Sequence, residues 1–313
     1  IVAVVWSKYR TPPPPNGAVP CRAIVSIEME LERRGRAPRT RASMRVHVEK
    51  WYLDLVTPDG AAWIGYAADV RIRGPVPLRF AYGGTLEGGS AGTARASHRG
   101  GLRARLPRAA DDSDEWVHPG LRVRGRWDAR RTSVARTLGD AAPADGAPTI
   151  EWHALATAAD AEVRVGDRVV EGRGYVARTI LRGPLDLGID VLHWGRWIAD
   201  GEGRSLVWIR WVGPRPLTVV LLDGEDAEAS EVDERGVRGP FGARELDPVD
   251  ELRAGSLGAT LLARLPLAVR VAARRMRRWD ETKWVARGTL RTAGGVARTG
   301  WAVHEVVRFG GER

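Results

Sequence analysis

In Trp301-Ala302-Val303-His304-Glu305-Val306-Val307-Arg308-Phe309, strand alternation places Glu305 on one face with Trp301, Val303, Val307 and Phe309. A carboxylate on an apolar face is costly unless paired; unpaired, its pKa rises and it becomes a proton donor. His193 falls on a strand-like face with Trp197, and an imidazole with an ordinary pKa of about 6.5 suits proton transfer. Tyr175 and Asp54 are weaker candidates, because each could equally close a turn or pair with an arginine. Thirteen tryptophans against three phenylalanines supply the complement. Indole faces suit a flat or polyene ligand and stabilise a developing cation through the ring quadrupole. Trp51, Trp194, Trp197 and Trp208 are the candidates for lining such a pocket. Together these residue types point to acid–base work on an apolar small molecule. The competing readings are an ion pair from Glu305 to an arginine, a hydrogen-bonded core position for His193, and indoles that only fill the core.

The segments that must position these residues read as strands. In Glu49 to Val56, Trp51, Leu53 and Leu55 share a face, and Thr57-Pro58-Asp59-Gly60 supplies a turn. Ala62 to Arg73 returns, and Leu78 to Tyr82, Gly101 to Leu106, Glu115 to His118 and Leu121 to Asp128 follow as short strands. That spacing predicts a barrel or sandwich. Ala141 to Pro148, rich in Ala, Pro and Gly, reads as a linker. Strand patterns resume at Ile150 and recur at Arg168 to Leu181, Ser205 to Val212, Leu217 to Leu222, Lys283 to Arg291 and Val296 to Phe309. The one helical pattern is Ser256 to Trp279, where Val269, Ala272, Ala273 and Met276 fall at helical spacing. An internal echo pairs Trp51, an Asp-Gly turn and Trp63 with Trp197, Asp200-Gly201 and Trp208, as a duplicated barrel would. Residues 1–43, with a polyproline run and a charged, breaker-rich stretch, read as a disordered or extraneous leader before Met44.

Several functional classes are disfavoured. The net charge is +10, yet 46 of the 49 basic residues are arginine, there is one asparagine and no glutamine. Such a skew reads as GC-rich coding bias, so no nucleic-acid partner is expected. Eight basic and three acidic residues in the first 43 carry half the excess. The only cysteine, Cys21, rules out an intrachain disulfide and a thiolate cluster. No apolar run reaches the length of a membrane-spanning helix, and a cytoplasmic location is expected. Gly88-Gly89-Ser90-Ala91-Gly92 matches a nucleophile elbow without the helix that should follow. His304-Glu305-Val306-Val307-Arg308 lacks the second histidine of a zinc-protease motif. Neither a metal nor a nucleotide cofactor is expected.

Glu49 to Gly60 (EKWYLDLVTPDG), Gly172-Arg173-Gly174-Tyr175, Leu192-His193-Trp194-Gly195-Arg196-Trp197, Lys283-Trp284 and Gly300 to Arg308 resemble the hydroxyneurosporene-synthase/AttH-like group. The resemblance runs from Met44 nearly to the end, with Lys50 standing where a second aromatic is common. It implies two consecutive lipocalin-like barrels; if the chain is an enzyme, it is expected to work without a cofactor. The group includes carotenoid 1,2-hydratases, and its distant relatives include cyclases of terpenoid or polyketide substrates. The expectation is therefore an all-β-dominated chain of two consecutive lipocalin-like antiparallel β-barrels, 44–140 and 150–309, with a helical segment at about 256–279 packed on the second. It should bind a polyene, terpenoid or polyketide, either as a hydratase or cyclase or as a non-catalytic carrier.

Overall fold

The computed structural model describes residues 45–73, 77–89, 92–101, 103, 105–110, 113–130, 133–138, 148–184, 188–201, 203–229, 231–256, 279–292 and 294–309. The expected leader and all but the ends of the expected helix over 256–279 lie outside these residues. Among the described residues, nineteen strands follow one another in antiparallel pairing. The first ten are β1 Arg45–Val56, β2 Ala62–Arg73, β3 Leu78–Gly89, β4 Gly92–Gly101, β5 Arg108–Ala109, β6 Ser113–His118, β7 Val123–Ala129, β8 Val134–Leu138, β9 Thr149–Val165 and β10 Arg168–Pro184. The other nine are β11 Val191–Ala199, β12 Ser205–Val212, β13 Leu217–Leu222, β14 Glu225–Asp226, β15 Glu231–Val232, β16 Gly236–Gly239, β17 Gly242–Ser256, β18 Asp280–Arg291 and β19 Ala297–Arg308.

These strands form two lipocalin-like sheets of matching topology. The first runs β4-β3-β2-β1-β10-β9-β7-β6-β5, with β8 paired to β9, and the second runs β14-β13-β12-β11-β19-β18-β17-β16-β15. In each, a four-strand meander is joined through its first strand to the last strand of its half. The β1–β2 and β11–β12 hairpins hold corresponding places, as the tryptophan echo implies. The first sheet curls until its ends meet: Arg99 Nε on β4 donates to the Gly120 carbonyl at 3.1 Å, in the turn between β6 and β7.

The sheets do not divide at the expected linker. The stretch 139–148 joins β8 to β9, which pair with Val134 opposite Ala154 and Leu138 opposite Ile150, so it connects neighbouring strands of one sheet. β9 and β10 close the first sheet against β7 and β1, and the change of sheet falls after Pro184. Ala, Pro and Gly mark a connection whether it joins strands or domains, so composition could not tell the two apart.

Strand alternation gives every central strand two buried faces. Trp51, Leu53 and Leu55 of β1 point into the first barrel with Trp63, Trp116 and Trp127. Trp197, Leu206, Trp208 and Leu290 fill the second. Both lumens are packed with indole against glycine. A Cβ on Gly65 would stand 2.5 Å from the Trp63 ring two residues earlier on the same face. One on Gly195 would collide with Trp208, its cross-strand partner, and lie 2.8 Å from His304 Cβ. Glycine is required at both sites so that a ring can lie across the strand. The largest core lies between the barrels, where β1, β2 and β10 face β11, β12, β18 and β19 through Val48, Tyr52, Tyr66, Tyr175, Trp194 and Val303 among others.

Candidate functional site

Among its apolar side chains, the inter-barrel core carries a line of charge. Lys50, Tyr52 and Asp54, alternate residues of β1, point into it from the first barrel. Arg196 on β11, Glu281 and Lys283 on β18 and Glu305 on β19 answer from the second. All seven are at most 7% exposed. Alternation along each strand and cross-strand pairing assemble them, with Glu305 directly opposite Lys283 on one side and Trp194 on the other.

Two ion pairs result. Arg196 Nη2 meets Asp54 Oδ1 at 2.6 Å and Nε meets Oδ2 at 3.1 Å, with both side chains fully buried, and Nη1 donates to the Trp301 carbonyl at 3.2 Å. This fork clamps one barrel to the other, so Asp54 is committed to an arginine. The second pair joins Lys283 Nζ to Glu305 Oε2 in close contact. Glu281 Oε1 lies 3.6 Å from the same ammonium, and Glu281 Oε2 lies 3.2 Å from Arg253 Nη1. Burial alone would raise the Glu305 carboxyl, but the Lys283 ammonium overrides it and holds the group below the ordinary carboxylate range. Burial likewise works to lower Lys283, and Glu305 reverses it and holds the amine firmly protonated. Glu305 is therefore paired with Lys283 and held toward its ionised form, whereas its apolar face alone predicts a raised pKa. The strand pattern located the residue but could not show the lysine opposite.

An aromatic box surrounds this pair. Lys283 Nζ lies 5.4, 5.6 and 5.8 Å from the ring centroids of Tyr52, Tyr66 and Trp194. Tyr52 stands edge-on to Trp194 at 4.7 Å and to Tyr66 at 5.4 Å, and Tyr175 lies 5.7 Å from Trp194. The hydroxyls of Tyr52, Tyr66 and Tyr175 are buried; that of Tyr66 lies beside Lys283 and that of Tyr175 beside Trp152, without well-formed hydrogen bonds among the described residues. Burial pushes all three phenols well above their usual range, so they are neutral donors. Lys50 lies 5.3 Å from the Tyr66 ring and has no ion pair with a described carboxylate. Burial lowers its amine to about 8, with Glu305 opposing and Lys283 assisting that shift.

His193 is on the other side of the second sheet. It faces the barrel interior with Trp197 and His304, while Glu305 faces the first barrel, so the sheet separates the two proton-transfer candidates. His304 stacks on Trp284 at 4.8 Å and is lowered to about 3, by burial first and then by Arg244. The buried Arg244 guanidinium lies 5.2 Å from the Trp197 ring. His193 is also lowered, chiefly by burial. The four candidate indoles do not form one wall: Trp51 is in the first lumen, Trp197 and Trp208 are in the second, and only Trp194 stands in the inter-barrel site. Tyr175 joins Trp194 there.

Lys283, Glu281, Tyr52, Tyr66, Arg196 and Lys50 were missed as site residues. One signal pointed to two of them. In a chain that uses arginine 46 times and lysine three times, two of the three lysines are in this cluster. Among the described residues, no three His, Cys, Asp or Glu side chains are grouped as a metal site would need. No described helix is long and apolar enough to cross a membrane. An open cleft of about 740 Å³ marks one end of the interface. Its lining includes the apolar Val56, Pro58, Ile198 and Trp301 and a mostly acidic charged set in which Arg173 and Arg287 are the cations. At the opposite end of β1, Arg45, His47, Arg71, Arg73 and Arg182 line a basic pocket on the face of the first sheet that carries Trp51 and Leu53.

No family model and no curated protein matches the chain. Solved structures do. Kievitone hydratase from Nectria haematococca aligns with a TM-score of 0.50 at 10% identity, covering 83% of this chain and 88% of its own. CghA aligns at 0.49 and 13% identity, covering 86% and 90%. An AttH candidate from Nitrosomonas europaea aligns at 0.45 and 12%, covering 83% and 92%. At these identities the likeness is one of fold.

Proposed function

We propose that the chain binds an apolar small molecule between its two barrels and catalyses its hydration or cyclisation without a cofactor. The observation that carries this reading is the ionised Lys283–Glu305 pair, buried and enclosed by Tyr52, Tyr66 and Trp194. The rings stabilise developing positive charge, and Glu305 adds a fixed carboxylate beside it where few waters compete. Glu305 is suited to take a proton from an attacking water, and the neutral phenols to donate hydrogen bonds to a substrate oxygen. That division of roles favours a conjugated, oxygen-bearing polyketide or terpenoid over a bare polyene, whose protonation needs a stronger acid than the site holds. Carotenoid hydration, the finer expectation from the sequence resemblance, fits this charge state less well. The fold shared with kievitone hydratase supports the compatibility of paired barrels with a hydratase.

Fluorescence titration with conjugated polyenes and polycyclic polyketides tests the binding half. A saturable change in tryptophan emission with little salt dependence is expected. Absence of any response, or tight DNA binding that weakens steeply with salt through counterion release, would overturn the reading. For the chemical half, Glu305→Gln should abolish turnover of a substrate found in this way while binding is retained. Unchanged turnover would remove Glu305 from the chemistry, and absence of turnover for every bound compound would leave the site as a carrier's.

A further inference from the structure

We propose that Lys50 is a nucleophilic amine that forms an imine with a carbonyl-bearing substrate of the inter-barrel site. The inference rests on the reading that this space binds an apolar small molecule, and it names the class: a conjugated aldehyde or ketone.

Three observations carry it. The first is the choice of base. Arginine is the default cation of this chain, yet both described lysines lie in one buried cluster. A guanidinium stays protonated and is no nucleophile, whereas a buried primary amine can lose its proton and attack carbon. The second is the opposite treatment of the two amines. Lys283 is held by Glu305 and Glu281 and stays an ammonium. Lys50 has no such pair with a described carboxylate and lies against the Tyr66 ring, and burial lowers its amine although the attraction of Glu305 exceeds the repulsion of Lys283. Lys50, lowered to about 8, offers a free-amine fraction near neutral pH, while Lys283 stays a proton donor. The third is steric: the cross-strand partners of Lys50 are Ala68 and Thr179, the small side chains that flank its stem.

The step balances without an oxidant. The neutral Nζ attacks the carbonyl carbon, a C–N bond forms, and the π pair passes to oxygen as the amine proton is transferred to it. The carbinolamine takes a second proton, from Lys283 or solvent, and loses water as the nitrogen lone pair forms C=N. The protonated imine draws electrons from the conjugated double bond, and water or an internal nucleophile adds at the far carbon while Glu305 accepts its proton. The enamine so formed takes that proton from Glu305 at its α-carbon and becomes an iminium again, and hydrolysis of this iminium returns the carbonyl product, the free amine and the borrowed proton.

The test uses the full chain with retinal as the conjugated aldehyde, retinol as its non-carbonyl control, and sodium cyanoborohydride as trap. Intact mass should show one reduced adduct, and peptide mapping should place it on Lys50. Lys50→Arg and Lys50→Met should lose the adduct while still binding retinol by fluorescence. If retinol and retinal both bind and no adduct forms, or the adduct maps to Lys283, Lys8 or the chain terminus, the imine proposal fails and the binding site stands. If neither molecule binds, the site reading fails and the proposal with it.

Discussion

Replacing Lys50 by methionine should stabilise the protein. The two side chains are similar in length and volume, so the substitution chiefly removes an amine from a site where only 6% of the residue is exposed. Burial lowers that amine from 10.5 to about 8, a net value that already includes the attraction of Glu305. At about 1.4 kcal/mol per pKa unit, keeping Lys50 protonated in the fold costs about 3 kcal/mol at neutral pH. Below pH 8 the lysine is charged in both folded and unfolded chains, and the whole cost is present. Between about 8 and 10.5 the unfolded chain holds a proton that the folded chain has released, so stability rises with pH and the cost disappears. Lys283 runs the other way, since its stabilising contribution is lost only as pH rises through a folded value above 10.5, and it is common to both proteins. Urea unfolding at pH 7 should give Lys50→Met a higher midpoint with an unchanged slope, and the gap should close toward pH 10.5. A variant no more stable than the parent at pH 7, or a gap that does not change with pH, would refute the reasoning.

Three further outcomes follow from the same geometry. Asp54→Ala should cost about 3–5 kcal/mol by stranding Arg196 in the inter-barrel core, and Asp54→Leu combined with Arg196→Met should recover most of it, both read from denaturant midpoints. His304, lowered from 6.5 to about 3, should show no ring titration by NMR between about pH 8 and pH 5. Because the unfolded chain binds the proton that folded His304 refuses, stability should fall as pH drops from about 6.5 toward 3, and His304→Phe should flatten that limb. Gly195→Ala should cost about 1–3 kcal/mol, since its methyl would collide with the Trp208 ring, and a melting curve unchanged from the parent would contradict the packing described.

The fold was largely legible because alternation is a local property. The faces of β1, β11 and β19 follow from counting by two, and Trp51, His193 and Glu305 each point where the pattern sends them. What alternation cannot show is which face of a doubly buried strand is lumen and which is interface. Both faces of β1 carry large side chains, so the tryptophans read as one pocket although they fill three cores. The sheet boundary was misplaced for a similar reason, since a Pro- and Ala-rich connection looks alike within a sheet and between sheets. Site partners were hidden by distance along the chain: Asp54 meets Arg196 from 142 residues away. Glu305 was found as an oddity on an apolar face, but its charge state depends on Lys283, whose importance lay in the rarity of lysine rather than in any motif.

The most direct test of the account is a crystal structure of the protein with a bound conjugated polyene or polyketide. The ligand should lie between the barrels, against Tyr52, Tyr66 and Trp194 and beside the Lys283–Glu305 pair. A ligand seated inside either lumen, displacing Trp63 and Trp127 or Trp197 and Trp208 while the inter-barrel core stays closed, would contradict it.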